Sequence, residues 1–89
     1  MSKAIWKYPL EPDQASIYLP VGAEILCVQV QGSEPCLWAL VDPATSDKET
    51  RHIGIYGTGH RIEGDPGRYI GTFQLNGGTL VFHVFDEGS

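Results

Sequence analysis

Glu24-Ile25-Leu26-Cys27-Val28-Gln29-Val30-Gln31-Gly32-Ser33-Glu34-Pro35-Cys36-Leu37-Trp38-Ala39-Leu40-Val41 decides the fold. Two β-rich runs flank a short polar segment with a glycine and a proline, the pattern of a hairpin. Strict alternation sets Leu26, Val28 and Val30 on one side of the first run, and Ile25, Cys27 and Gln29 on the other. Gln31 to Pro35 is the turn, and Cys36 to Val41 the return strand. Few charges interrupt the pair, so it is expected at the centre of the sheet.

Outward from this hairpin the rhythm repeats. Tyr69 to Leu75 and Thr79 to Phe85 flank Asn76-Gly77-Gly78, and Asn-Gly is the strongest short hairpin signal because both residues tolerate positive φ. Ala4 to Tyr8, Ser16 to Leu19 and Arg51 to Tyr56 read as further strands, the last with Ile53 and Ile55 inward. Glu11-Pro12-Asp13-Gln14 and Asp65-Pro66-Gly67 read as turns, and Asp42 to Glu49 as an exposed, mobile loop. Asp86 to Ser89 is expected to be a flexible tail. No stretch has room for a long helix. The fold expected for residues 1–89 is one all-β domain, a small antiparallel sandwich or partly open barrel of about six to seven strands.

The 89 residues carry a net charge of -5, with six basic side chains scattered along the chain. Specific duplex binding needs a clustered basic surface, so nucleic acid is not an expected partner. The acids are dispersed too, which argues against a mimic of DNA. The longest apolar run is Leu37 to Val41, far short of the roughly 20 residues of a spanning helix. No leader follows Lys3, and a cytoplasmic location is expected. Cys27 and Cys36 then read as small buried hydrophobes.

Gly57-Thr58-Gly59-His60-Arg61 is the most reactive-looking segment. Its glycines let backbone N–H groups converge beside a hydroxyl, an imidazole and a guanidinium, a set suited to a phosphate or carboxylate. It has neither P-loop spacing nor a following helix, so the competing reading is a plain turn with His60 and Arg61 solvated. In that turn, loss of either side chain leaves folding intact. His52, His60 and His83 have no metal-ligand spacing, and neither a metal nor a cofactor is expected. Cys36 paired with His83 or His60 would be the nearest thing to a nucleophile and base, but no helix N-terminus lowers the thiol pKa and no catalytic motif surrounds it.

The aromatic residues have two readings. Core packing is the default, above all for Trp38, whose removal would then cost about 3–5 kcal/mol. Trp6, Tyr8, Tyr56 and Tyr69 are the candidates for an outward binding patch, since Trp and Tyr dominate hot spots. Trp38 and Leu40 oppose Leu37, Ala39 and Val41, so that strand is apolar on both sides. A two-layer sandwich explains this, and so does a second copy of the chain covering one face.

Ile5-Trp6-Lys7-Tyr8-Pro9-Leu10, Val21 to Leu26, Leu37 to Pro43, Ile55 to His60, Tyr69 to Phe73 and Leu80 to Phe85 together resemble a family of small uncharacterised proteins encoded in phage and prophage genomes. The resemblance spans nearly the whole chain and brings no residue roles with it. It implies an accessory protein acting inside an infected bacterial cell. The function expected in that setting is non-enzymatic: inhibition of a host or defence protein by binding, or sequestration of a small anionic nucleotide signal. A minor virion or assembly component is the structural alternative, and a small enzyme without a recognisable motif the third.

Overall fold

A computed structural model describes residues 2–11 and 16–88, so most of the turn read at Glu11 to Gln14 lies outside the described residues. Seven strands follow in order: β1 (Ala4–Pro9), β2 (Ser16–Pro20), β3 (Glu24–Gln31), β4 (Glu34–Val41), β5 (Lys48–Gly57), β6 (Arg68–Leu75) and β7 (Leu80–Gly88). They form two antiparallel sheets, a three-stranded one of order β1-β4-β3 and a four-stranded one of order β2-β5-β7-β6. The fold is an open sandwich, and the only helical element among the described residues is a 3-10 turn at Asn76–Gly78.

The expected central hairpin is β3–β4, but only β4 is central; β3 lies at the edge. Its turn shrinks to Gly32-Ser33, because Pro35 joins the ladder opposite Val30. A proline fits there because its neighbour uses the carbonyl and needs no N–H: Leu10 N–H donates to Pro35 O at 2.8 Å.

Strict alternation fails at three β-bulges, each of which shifts side-chain parity by one. The bulge between Ile25 and Cys27 puts Ile25 with Val28 in the core and leaves Leu26 outside, where the sequence pattern set them on opposite sides. A second bulge, between Tyr69 and Gly71, keeps Tyr69 and Thr72 on the outer face. The third, between His52 and Ile53, lets β7 continue through Glu87 and Gly88. The expected flexible tail is therefore strand up to Gly88.

The core lies between the sheets, with Leu37, Ala39 and Val41 of β4 facing Ile53, Phe73 and Val84 of the opposite layer. Trp38 is not in it. On the opposite side of β4, Trp38 lies between Lys7 and Cys27 on the outer face of the three-stranded sheet, only half-buried. The expectation of a core tryptophan is corrected: β4 is apolar on both sides, and its Leu-Ala-Val side is the inner one.

Tyr8 packs inward from β1 against the core. Burial pushes its phenol pKa up, because the phenolate would lose hydration. A folded-state pKa above the unfolded value of about 10 leaves stability untouched below that pH and removes it as pH rises through the folded value. Tyr8→Phe should therefore flatten the alkaline limb of a pH–melting curve above pH 10 without changing the curve near neutrality. A loss above pH 10 as steep as wild type would show that Tyr8 does not set it.

The two ends of the sandwich differ. At one, Arg51 Nη1 donates to Asp86 Oδ2 at 2.9 Å, while Nη2 reaches Glu49 Oε1 at 2.8 Å and Ala23 O at 3.1 Å. Arg68 Nη2 donates to Ile25 O at 2.8 Å and lies 3.9 Å from Asp86. Side chains from the four-stranded sheet thus grip backbone carbonyls at the start of β3 and clamp the layers together. Burial opposes the charge on Arg51, but the bonds to Glu49 and Asp86 outweigh it and raise its pKa. The 42–47 segment closes the same end, held by Asp42 Oδ1 accepting from Ala44 N–H at 3.0 Å and by Val21 N–H donating to Asp47 O at 2.9 Å, while Lys48 and Glu49, expected in the loop, already pair with β2. At the other end, near the β3–β4 and β6–β7 turns, the layers part.

Candidate binding face on the four-stranded sheet

Because Ile53, Phe73 and Val84 point inward, Tyr56, His83, Phe85, Tyr69 and Thr72 point out. Tyr56 and Tyr69 each meet Phe85 edge-on, with ring centroids 5.8 and 5.5 Å apart. Such edge-to-face pairs fix ring orientation as well as burying area. Tyr69 keeps 54% of its surface exposed. Tyr56 leans across Gly54, and a Cβ there would fall 2.8 Å from the Tyr56 ring and 2.7 Å from Glu87 Oε2. Glycine at this position leaves room for the ring to lie flat on the strand. The Tyr56 hydroxyl donates to Glu87 Oε2 at 3.0 Å. Desolvation and this bond to a carboxylate together raise its pKa.

A polar row adjoins the rings. His83 Nε2 is 2.7 Å from Thr58 Oγ1, and His83 Nδ1 is 3.0 Å from Thr72 Oγ1, which is bonded in turn to the Tyr69 hydroxyl. The imidazole is held at both nitrogens by neutral hydroxyls. A hydroxyl beside an imidazole is half of a nucleophile–base pair, but here the orienting group on Nδ1 is a threonine in place of a carboxylate. The Thr58 N–H, a natural oxyanion donor, is already given to Val81 O at 3.2 Å. The network positions side chains and supplies exposed donors and acceptors.

The Gly57–Arg61 segment begins at this face. Thr58 joins the His83 network, and the His60 ring lies over Gly57, where a Cβ would sit 2.8 Å from it. His60 N–H donates to Gly57 O at 3.0 Å, so the His60 amide closes the turn while the Thr58 amide ties it to β7. His60 and Arg61 are exposed. Of the four candidate patch residues, Tyr56 and Tyr69 come together on Phe85. Trp6 and Tyr8 face the other way, against the core, with Lys48 Nζ 5.6 Å from the Trp6 ring centroid. Cys36 lies on the outer side of the opposite sheet, its thiol toward Glu34 O at 3.6 Å, so the layers separate it from His83. Among the described residues no cluster of His, Cys, Asp and Glu is arranged to hold a metal.

A family model described as Domain of unknown function (DUF7352) matches residues 1–89. The chain belongs to the DUF7352 family. No curated protein and no solved structure matches it. For this DUF7352 domain, function therefore rests on the chemistry of its surfaces. Phe85 and Thr72 were missed in the sequence for different reasons. Phe85 shares strand parity with His83 and was legible as its same-face neighbour, whereas Thr72 reaches that face only because of the bulge at Ile70.

Proposed function

We propose that this chain is a non-enzymatic accessory protein that binds a protein partner through the outer face of its four-stranded sheet. The observation that carries this reading is the outward-facing Tyr56–Phe85–Tyr69 cluster, half-buried at Tyr56 and Phe85 and exposed at Tyr69, bordered by Thr58, Thr72, His83 and Glu87. The core does not need these rings, since Ile53, Phe73 and Val84 already fill the inner side. Rigid aromatic anchors with a rim of hydrogen-bonding groups are what a hot spot requires. In the phage setting that the sequence resembles, the partner is a host or defence protein of an infected bacterial cell, inhibited by having its own surface covered.

The test is affinity capture of the tagged chain from such cells, followed by titration of the recovered partner against variants. Tyr69→Ala should weaken binding at least tenfold while leaving the melting temperature within a few degrees of wild type. Gly54→Ala should weaken it by displacing Tyr56, and Ile5→Ser, on the opposite sheet, should leave it unchanged. Wild-type affinity in both the Tyr69 and Gly54 variants would end this assignment. A nucleotide recovered in place of a protein, and lost in His60→Ala and Arg61→Ala, would move the function to the 57–61 loop.

A further inference from the structure

The three rings on the outer sheet face stand at steep angles to one another. Phe85 is inclined 71° to Tyr56 and 65° to Tyr69, so each tyrosine makes a corner with it. The Tyr69 hydroxyl is bonded to a neutral group, Thr72, whereas the Tyr56 corner carries a charge. A Cβ on Gly54 would meet Tyr56 Cε2 at 2.8 Å, its hydroxyl at 3.0 Å and Glu87 Oε2 at 2.7 Å, which places the phenol ring and the carboxylate over the same glycine. One face of the ring lies on that backbone and the other looks out. The hydroxyl donates to Glu87 Oε2 at 3.0 Å and so fixes the carboxylate at the ring edge.

A protein seated on these rings also covers Glu87, and a carboxylate taken out of water is costly unless it gains a counter-charge. Its hydrogen-bond donor within the chain is a neutral phenol, and among the described residues no lysine, arginine or histidine forms an ion pair with it. Neighbouring His83 has both ring nitrogens engaged by Thr58 and Thr72. An apolar or acidic side chain would leave the charge unbalanced. A cation balances it, and the ring beside it selects the kind. A guanidinium is planar and weakly hydrated, and it stacks on an aromatic face while its edge N–H groups reach a carboxylate; an ammonium is a strongly hydrated point charge. We propose that the partner's contact at this corner is an arginine side chain, stacked on Tyr56 beside Phe85 with its guanidinium edge on Glu87. This inference rests on the outer sheet face being the protein-binding surface and names what that surface recognises. The net charge of -5 favours the approach of a basic segment.

Three blocked amino acids test it: Nα-acetyl-arginine amide, its neutral isostere Nα-acetyl-citrulline amide, and Nα-acetyl-lysine amide. Each is titrated into the full chain at constant ionic strength to about 100 mM, because an isolated contact of this kind is weak. The arginine compound should shift the amide signals of Gly54, Tyr56, Phe85 and Glu87 and bind at least threefold tighter than the citrulline compound, with lysine between. Glu87→Gln keeps an acceptor for the Tyr56 hydroxyl and removes the charge; it should bring arginine down to the citrulline level. Tyr56→Leu should weaken arginine severalfold while a dispersed spectrum shows that the fold persists. Equal binding of arginine and citrulline, arginine shifts confined to other parts of the chain, or unchanged arginine affinity in Glu87→Gln would overturn the proposal. Titration of the recovered partner separates its failure from that of the broader reading. A partner weakened by Tyr69→Ala and Gly54→Ala but not by Glu87→Gln docks on this face without an arginine at the corner. A partner weakened by none of the three docks elsewhere, and both assignments fall.

Discussion

Arg51→Met should destabilise the domain by about 2–4 kcal/mol, measured by urea unfolding at neutral pH. The guanidinium side chain is 13% exposed and the Asp86 side chain 9%, so the substitution leaves a nearly buried carboxylate without its main partner. It also leaves Ala23 O and Glu49 without their donor. Arg68, 3.9 Å from Asp86 and itself 54% exposed, is too far and too hydrated to replace it. The estimate lies below the full cost of breaking a deeply buried pair because solvent reaches part of the site. Arg68→Met, which loses one bond to Ile25 O, should cost about 0.5–1.5 kcal/mol. The double variant Arg51→Met with Asp86→Leu should recover part of the loss, since replacing both partners removes the orphaned charge. An Arg51→Met protein as stable as wild type would mean that the ion pairs do not hold this end of the sandwich closed.

The positions involved show why this clamp was not legible in the sequence. Arg51 and Asp86 are 35 residues apart and became neighbours only when β5 and β7 paired with a bulge at His52. On the sequence Asp86 reads as the first residue of a polar tail. Features set by local chemistry fared better. The Asn76–Gly78 hairpin, the inward Ile53 and Ile55, and the two-layer architecture follow from turn residues and period-two patterning. Bulges are the common source of the failures, because one extra residue exchanges the faces of everything beyond it. Ile25, Thr72 and Asp86 each lie beside or beyond such a bulge. Tyr56 and Tyr69 could be picked out as aromatic, but only strand order brings both to Phe85: β5 and β6 flank β7 and are parallel to each other, with the Gly57–Arg61 loop beginning the connection between them.

Leu37 and Trp38 are chain neighbours on one central strand, and truncating them should have opposite consequences. Leu37 has no exposed surface and faces the opposite sheet, so Leu37→Ala should cost about 2–5 kcal/mol in lost burial and an unfilled cavity. For a domain of this size, each kcal/mol lowers the melting temperature by about 4–8 °C, so a drop of 10 °C or more is expected. Trp38 sits on the outer side of β4, half-buried between Lys7 and Cys27, and Trp38→Ala should cost about 1–2 kcal/mol. Its indole is larger than the Leu37 side chain, so residue size alone would reverse the order; which side of β4 each residue occupies decides it. The comparison also tests the second reading of a strand apolar on both sides. If a second copy covers Ile5, Trp38 and Leu40, Trp38→Ala will cost as much as Leu37→Ala, and the wild-type melting temperature will rise with protein concentration. If the outer face meets only solvent, Leu37→Ala will dominate at every concentration.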